Sequence, residues 1–255
     1  MPEPLTPMMK QYRRIRSELP DDVILFFRLG DFYEMFFEDA KRAAPVLDIA
    51  LTKRNNVPMC GVPFHAVNGY LAKFMRAGLR VAICEQVEDP AQAKGIVRRE
   101  VTRVITPGTV LEDTILESGE NNYLAGICRI GPAYGMALMD LSTGQFWGEP
   151  VGNDDALRDN LRRFAPSECL IPEALERDTA LQALLREAGI QHVSRCEDWT
   201  FSTDAAYDAL LRHFEVHSLE GYGCERLPAV IAAAGGVLLY VQQELRCDTG
   251  HIRSF

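Results

Sequence analysis

The sequence predicts an α/β chain in two parts, each a mixed α/β domain, followed by a short helical segment. Three observations carry that reading. Runs that are apolar on both faces, as central strands are, alternate with amphipathic helical stretches through the first part. From residue 123, three short strand patterns joined by glycine-containing turns give way to alternating helix and strand. The charge divides at the same place: residues 1–115 hold 16 Lys+Arg against 15 Asp+Glu, and residues 116–255 hold 11 against 21. All the lysines (Lys10, Lys41, Lys53, Lys73, Lys94) fall in the first part. Such an asymmetry points to two domains with different partners. The expected boundaries are 1–112 for the first domain, 113–122 for an acidic, aperiodic linker, 123–245 for the second domain, and 246–255 for the opening of a helical region.

In the first part, Thr6-Pro7 is a helix start, with Thr as N-cap and Pro at the first helical position. Met8, Tyr12, Ile15 and Leu19 follow at helical spacing, and Pro20 stops them. Residues 23–27 are apolar throughout, a central strand; Gly30-Asp31 turns the chain, and residues 32–37 return as its partner. Residues 38–47 read as a short helix ending near Pro45, and 48–52 as another strand. Two prolines and a glycine among residues 58–63 mark a rigid loop. Residues 66–77 are amphipathic and closed by Gly78 at the C′ position. Residues 80–84 form a strand, 85–95 a polar connection, and 98–106 an extended segment leading into Pro107-Gly108.

In the second part, strands are expected at 123–128, 135–141 and 145–148, with turns at Gly131-Pro132 and Ser142-Thr143-Gly144. Helices at 154–164 and 177–188 alternate with strands at 168–171 and 191–194. Three meandering strands followed by that alternation suggest a ribonuclease H-like sheet. From residue 207 the pattern is mainly helical through 245, and the chain stops at Phe255 without a tail signal, as an interrupted longer protein would.

Composition excludes several classes. The chain is 47% apolar and 25% charged, ordinary for a globular protein. No run of eighteen apolar residues exists to span a membrane, and the first residues lack a secretory signal. Seven scattered cysteines without a C-x-x-C pair read as buried free thiols in a reducing compartment. No G-x-x-x-x-G-K-[ST] occurs, so these residues hold no P-loop for ATP. His213 and His217 stand at i and i+4, but Glu215 is misplaced for the H-E-x-x-H zinc pattern. Asp140 sits on a strand where a nuclease carboxylate could, yet it lacks the supporting carboxylates that metal-dependent cleavage needs; capping the Ser142-Thr143-Gly144 turn is the simpler role. No catalytic residue and no metal site is expected.

The informative run is Phe27-Arg28-Leu29-Gly30-Asp31-Phe32-Tyr33-Glu34-Met35-Phe36. Residues i and i+2 of a strand point the same way, so Phe32 and Glu34 project side by side. A ring and a carboxylate so placed can wedge into a base stack and accept a hydrogen bond beside it. The plainer alternative is a hairpin whose aromatics are all core.

The first 128 residues resemble the mismatch-recognition domain of the bacterial MutS family of DNA mismatch repair. The matching stretches are Thr6-Pro7-Met8-Met9, Gly30-Asp31-Phe32-Tyr33-Glu34, Leu51-Thr52-Lys53-Arg54, Pro58-Met59-Cys60-Gly61-Val62-Pro63-Phe64-His65-Ala66-Val67, Ala82-Ile83-Cys84-Glu85-Gln86 and Ile105-Thr106-Pro107-Gly108-Thr109. Leu138-Met139-Asp140-Leu141-Ser142-Thr143-Gly144 resembles the family's connector domain more loosely, and residues 219–254 resemble the start of its helical lever. The loop after Arg54 is a few residues shorter than in many relatives. The resemblance implies that Phe32 stacks on a mispaired or unpaired base from the minor groove and that Glu34 hydrogen-bonds the same base. Arg28, Lys53, Arg54 and Arg76 are candidate phosphate contacts. The Met59–Pro63 stretch, Gly61 included, is a candidate for backbone approach to the DNA sugar edge. The resemblance further implies mismatched double-stranded DNA as ligand, MutL as a partner of the connector, a homodimer, ATP and Mg in the full-length family, and a cytoplasmic, nucleoid-associated protein. Two other classes compete: a metal-dependent nuclease built on Asp140, whose cleavage Asp140→Asn would abolish, and a protein-interaction module indifferent to Phe32→Ala.

Overall fold

The computed structural model describes residues 6–88, 95–111 and 121–255. The expected linker lies outside the described residues up to residue 120, as do Lys94 and residues 89–94 of the polar connection. The chain divides into two compact units, Met1–Thr106 and Pro107–Phe255. The first ends six residues earlier than the sequence suggested. Pro107 to Thr109 belong to the second unit, because the Gly108 N–H donates to Glu168 and the Asn122 side chain donates to the Pro107 carbonyl.

The first unit is a six-stranded sheet. Helix α1 (Pro7–Ser17) starts where Thr6 Oγ1 accepts from the Met9 N–H. Strand β1 (Val23–Leu29) is antiparallel to β2 (Phe32–Phe36), and Gly30, at φ +56°, makes the tight turn between them. Helix α2 (Phe37–Leu47) follows β2 directly. Pro45 does not stop α2, which runs on to Leu47 and closes on Asp48 in the left-handed conformation. Short β3 (Thr52–Arg54) pairs with β4 (Val57–Pro63) through Asn55 and Asn56, both at positive φ. That is a two-residue hairpin turn of the kind Asn tolerates. Helix α3 (Val67–Arg76) ends at Ala77 with Gly78 at φ +68°. Strands β5 (Arg80–Gln86) and β6 (Arg99–Ile105) complete the order β3-β4-β2-β1-β5-β6, with β1 and β5 parallel.

Two expectations fail here. Residues 48–52 are not a strand; β3 begins at Thr52. Residues 58–63 are not a loop: they form β4, paired on both sides. The prolines stand near its two ends, Pro58 opposite Lys53 and Pro63 opposite Phe32, where a missing N–H costs least.

Adjacent strand residues face opposite ways, so Phe26 and Phe27 show that both faces of the sheet are covered. The Phe26 ring meets Phe74 of α3 edge-on at 5.4 Å, and Phe27 meets Tyr12 of α1 at the same spacing. Residues 23–27 are wholly buried. Because β2 turns into α2 at Phe37, the Leu25 N–H has no strand partner; Asp39 takes it, together with the Tyr12 hydroxyl and the Arg16 guanidinium. The strand that carries the turn is therefore fixed on every side.

The second unit has the sheet order β11-β10-β7-β8-β9. Strands β7 (Tyr123–Ile130), β8 (Ala133–Asp140) and β9 (Gln145–Val151) form an antiparallel meander. After α4 (Asp154–Phe164), β10 (Glu168–Pro172) lies parallel to β7; after α5 (Thr179–Glu187), β11 (Val193–Cys196) lies parallel to β10. This is the ribonuclease H-like arrangement. One face packs Ile127, Met136 and Leu138 against Leu157, Leu161 and Leu184 of α4 and α5. The other presents Gly126 and Gly135 to α7 (Pro228–Leu239), a helix buried on every side.

The helical stretch expected over 207–245 is two helices. Helix α6 (Thr203–Phe214) starts earlier, at a Ser202 N-cap, and residues 215–227 leave the α-helix before α7, which ends in a π turn at Tyr240–Glu244. Residues 246–255 carry no helix. Arg246 takes a positive φ, and the segment is held by the His251 ring N–H on the Leu141 carbonyl and by Phe255 against Phe146.

Candidate nucleic-acid interface

Strand register decides which candidates share a face. Phe32 stands opposite Pro63, Glu34 opposite Gly61, and Phe36 opposite Met59; Met59 in turn pairs with Thr52, and Val57 with Arg54. Phe32, Glu34, Met59, Gly61 and Arg54 therefore lie on one face. Helix α1 packs on that face through Tyr12, against Phe36 and Phe27. Beyond it, Phe32 is 46% exposed, an unusual state for a strand phenylalanine. The alternative in which every hairpin aromatic is core fails at this one residue: Phe26, Phe27, Tyr33 and Phe36 are buried.

Glu34 is the more sheltered of the pair, its side chain 15% exposed, and its Oε2 accepts from Arg54 Nη1 at 3.0 Å. Gly61 makes room for it: a Cβ there would lie 3.4 Å from Glu34 Cγ and 3.3 Å from the Tyr33 carbonyl. Met59 is half-buried within β4.

The remaining basic candidates do not join this face. Arg28 stands opposite Tyr33 and so points to the other side. Its guanidinium donates to the Gly30 carbonyl, approaches Glu85 at 3.7 Å and lies 3.8 Å over the Phe64 ring. Lys53 pairs with Pro58 and is exposed on that same other face, and Arg76 is exposed in the last turn of α3. Tyr33, inward from Arg28, donates to Glu85; burial, then that hydrogen bond, push its phenol up to about 12.

One residue was missed. Phe64 is 39% exposed, and its N–H donates to the Asp31 carbonyl, so it stands beside the Gly30-Asp31 turn. Its signal in the sequence was weak: it follows Pro63, the register partner of Phe32, but that pairing is invisible until β4 is recognised as a strand.

In the second unit the exposed Trp199 spends its indole N–H on Glu197 two residues away, and the residues the sequence singled out there are engaged within the fold. Asp140 is fully buried and accepts from the Ser142 N–H and hydroxyl, the Thr143 N–H and the Asn122 N–H. It caps the turn. Glu168, also buried, is taken by Gly108, Ser194 and Tyr240. His213 spends its ring nitrogens on the Ile252 carbonyl and the Gln242 side chain. Among the described residues no group of three or more His, Cys, Asp or Glu is placed to hold a metal ion, and no helix is long and apolar enough to cross a membrane.

Comparison with known proteins gives two family models that together take in most of the chain: MutS domain I over residues 6–114 and MutS domain II over residues 122–253. DNA mismatch repair protein MutS of Desulfatibacillum aliphaticivorans is 44% identical over 253 residues, which is 97% of this chain and 28% of that protein. Its namesake in Desulforapulum autotrophicum is 45% identical over 257 residues, again 97% of this chain and 29% of that protein. The chain thus spans less than a third of the length of these relatives. Among solved structures, Thermus thermophilus RuvC aligns with 47% of this chain and 95% of its own at 16% identity, with a TM-score of 0.32.

Proposed function

The chain belongs to the MutS family, whose domains I and II it carries, and from that premise we propose that it probes duplex DNA for mispaired or unpaired bases in mismatch repair. Phe32 is the wedge, stacking on the defective base from the minor groove; Glu34, two residues on, accepts a hydrogen bond from that base. The observation that carries the reading is the exposure of Phe32 at the end of a hairpin whose other aromatics are buried.

The energetics fit. An apolar wedge unstacks a base step and kinks the duplex at a cost of a few kcal/mol. Mispaired steps cost least to unstack, so deformability itself supplies selectivity. Stacking returns roughly 1–3 kcal/mol. A carboxylate among phosphates is unfavourable on perfect duplex, so Glu34 contributes discrimination more than affinity. Lys53, Arg76 and Arg28 lie off the Phe32–Glu34 face and are proposed as phosphate contacts away from the probed base, which position without specifying. Met59 and Gly61 bring the β4 backbone to the DNA. In this reading MutL is a partner of the second unit, the homodimer and the ATP and Mg chemistry are properties of the longer family members, and the protein acts in the bacterial cytoplasm on nucleoid DNA.

The test is fluorescence-anisotropy binding at low salt to duplexes bearing one G·T mismatch or one unpaired T, beside the matched duplex. The expected outcome is preference for the defect, lost about 5- to 150-fold in Phe32→Ala. The Phe32→Ala melting temperature should stay within about 2 °C of wild type, since a half-exposed ring adds little to stability. Equal affinity of the unsubstituted chain for all three duplexes refutes autonomous recognition.

A further inference from the structure

We propose that Arg54 is a specificity-determining positioning residue, which holds the Glu34 carboxylate by one oxygen and presents the other to the base. The inference rests on the recognition reading above and goes beyond it, because it makes a cation counted as a phosphate contact act through its neighbour.

Arg54 and Glu34 share a face but not a rung: Arg54 stands opposite Val57 and Glu34 opposite Gly61, so the guanidinium runs diagonally across β4 to the carboxylate, which Gly61 leaves uncovered at its own rung. Nη1 of Arg54 meets Oε2 at 3.0 Å, and among the described residues Oε1 has no bond. The Glu34 side chain is 15% exposed, while Arg54 is 47% exposed and still bonded to it.

Two consequences follow from the geometry. The guanidinium fixes the orientation of Oε1 before any ligand arrives, lowering the entropy cost of the bond to the base. It also cancels a negative charge that would otherwise repel the DNA backbone. The first acts only when a base is available to bond, so removal of Arg54 should erode the preference for a defect. A plain phosphate contact would instead weaken all duplexes alike and lower the salt slope by about one.

The experiment is a double-mutant cycle on the full 255-residue chain, with wild type, Arg54→Ala, Arg54→Lys, Glu34→Gln and Arg54→Ala/Glu34→Gln bound to G·T and matched duplexes over a range of salt. The quantity read is the ratio of matched to mismatched Kd, with melting temperatures confirming that each variant folds. Arg54→Ala should lower the ratio about three- to fivefold, in keeping with the strength of a partly exposed ion pair. Arg54→Lys should recover part of the loss, and in the Glu34→Gln background Arg54→Ala should leave the ratio unchanged. An Arg54→Ala variant that loses affinity equally for both duplexes, with a reduced salt slope, overturns the proposal. A ratio that falls by the same factor with or without the Glu34 carboxylate also overturns it. Phe32→Ala run alongside separates the two failures: a wild-type preference abolished by Phe32→Ala but indifferent to Arg54→Ala refutes this inference alone, whereas a wild type without preference refutes the recognition reading and this inference with it.

Discussion

Substituting Gly135 by alanine should cripple the second unit while leaving the first intact. Gly135 sits in β8 directly beneath α7, and a Cβ added there would fall 2.0 Å from the Ala229 carbonyl oxygen and 2.1 Å from its carbon. Both are backbone atoms and cannot swing aside as a side-chain tip can. Bringing the contact to 3.0 Å requires α7 to lift by about 1 Å. That lift is resisted elsewhere along the helix, where Gly126 lies against Val237 and the Ala233 carbonyl and Gly235 lies against Ala206 of α6. Overpacking a well-filled core costs typically 1–3 kcal/mol, and a rigid backbone obstacle belongs at the upper end. For a unit of this size, about 3 kcal/mol lowers the midpoint by roughly 6–12 °C. The assay is thermal unfolding followed by tryptophan fluorescence, because both tryptophans, Trp147 and Trp199, lie in the second unit. Gly152→Ala is the control: nothing lies within 4 Å of its added Cβ, and its midpoint should not fall. A Gly135→Ala midpoint within about 2 °C of wild type would refute the argument that α7 rests on the sheet through glycine.

Asp140→Ala should destabilise the second unit by about 1–3 kcal/mol, since it strands the buried Asn122 N–H and removes the cap of the exposed Ser142-Thr143 turn; urea unfolding reads the loss. The unsubstituted chain should not nick plasmid DNA with Mg²⁺ or Mn²⁺, and metal-dependent nicking abolished by Asp140→Asn would reinstate the nuclease alternative. The buried thiols give an alkaline signature. Burial pushes Cys60 and Cys128 up to about 11 and Cys84 up to about 12. Below the ordinary thiol value near 9 the folded and unfolded chains are equally protonated at these groups, so their contribution is fully present. As pH rises from there towards 11–12 the unfolded chain loses protons that the folded chain keeps, and stability falls; replacing Cys84 by alanine should flatten the decline in a melting-temperature profile. Native Cys84 should also react with a thiol reagent far more slowly than in the urea-unfolded chain.

Much of this architecture was legible because its signals are local. The Thr6-Pro7 start, the Gly30 turn, the Gly78 stop and the 154–164 helix each follow from a few adjacent residues, and all four stand in the structure. What failed depends on distant partners. Pro58, Gly61 and Pro63 look like a loop until β2 and β3 supply the ladder between them. Helix α7 carries no periodicity because it is buried all round, so periodicity could not set its length, and the break from α6 is marked only by Gly221, Gly223 and the Pro228 start. At the candidate interface the i, i+2 rule placed Phe32 beside Glu34 correctly, but it could not assign faces to residues on other strands. That is why Arg28 and Lys53 were grouped with Arg54, and why Phe64 went unnoticed.

The position of Phe32 within the hairpin reconciles exposure with rigidity. A large exposed ring on a flexible loop would lose, on binding, the entropy of the loop that carries it. Phe32 avoids this by standing at the first residue of a strand whose ladder partners are Leu29 on one side and Pro63 on the other. Behind it, Phe26, Phe27 and Phe36 are fully buried and held edge-on by Phe74 and Tyr12. The rings that stabilise the sheet and the exposed ring are thus neighbours in sequence, and the ladder that fixes the first also fixes the second, so in the proposed reading Phe32 has little freedom left to lose on binding.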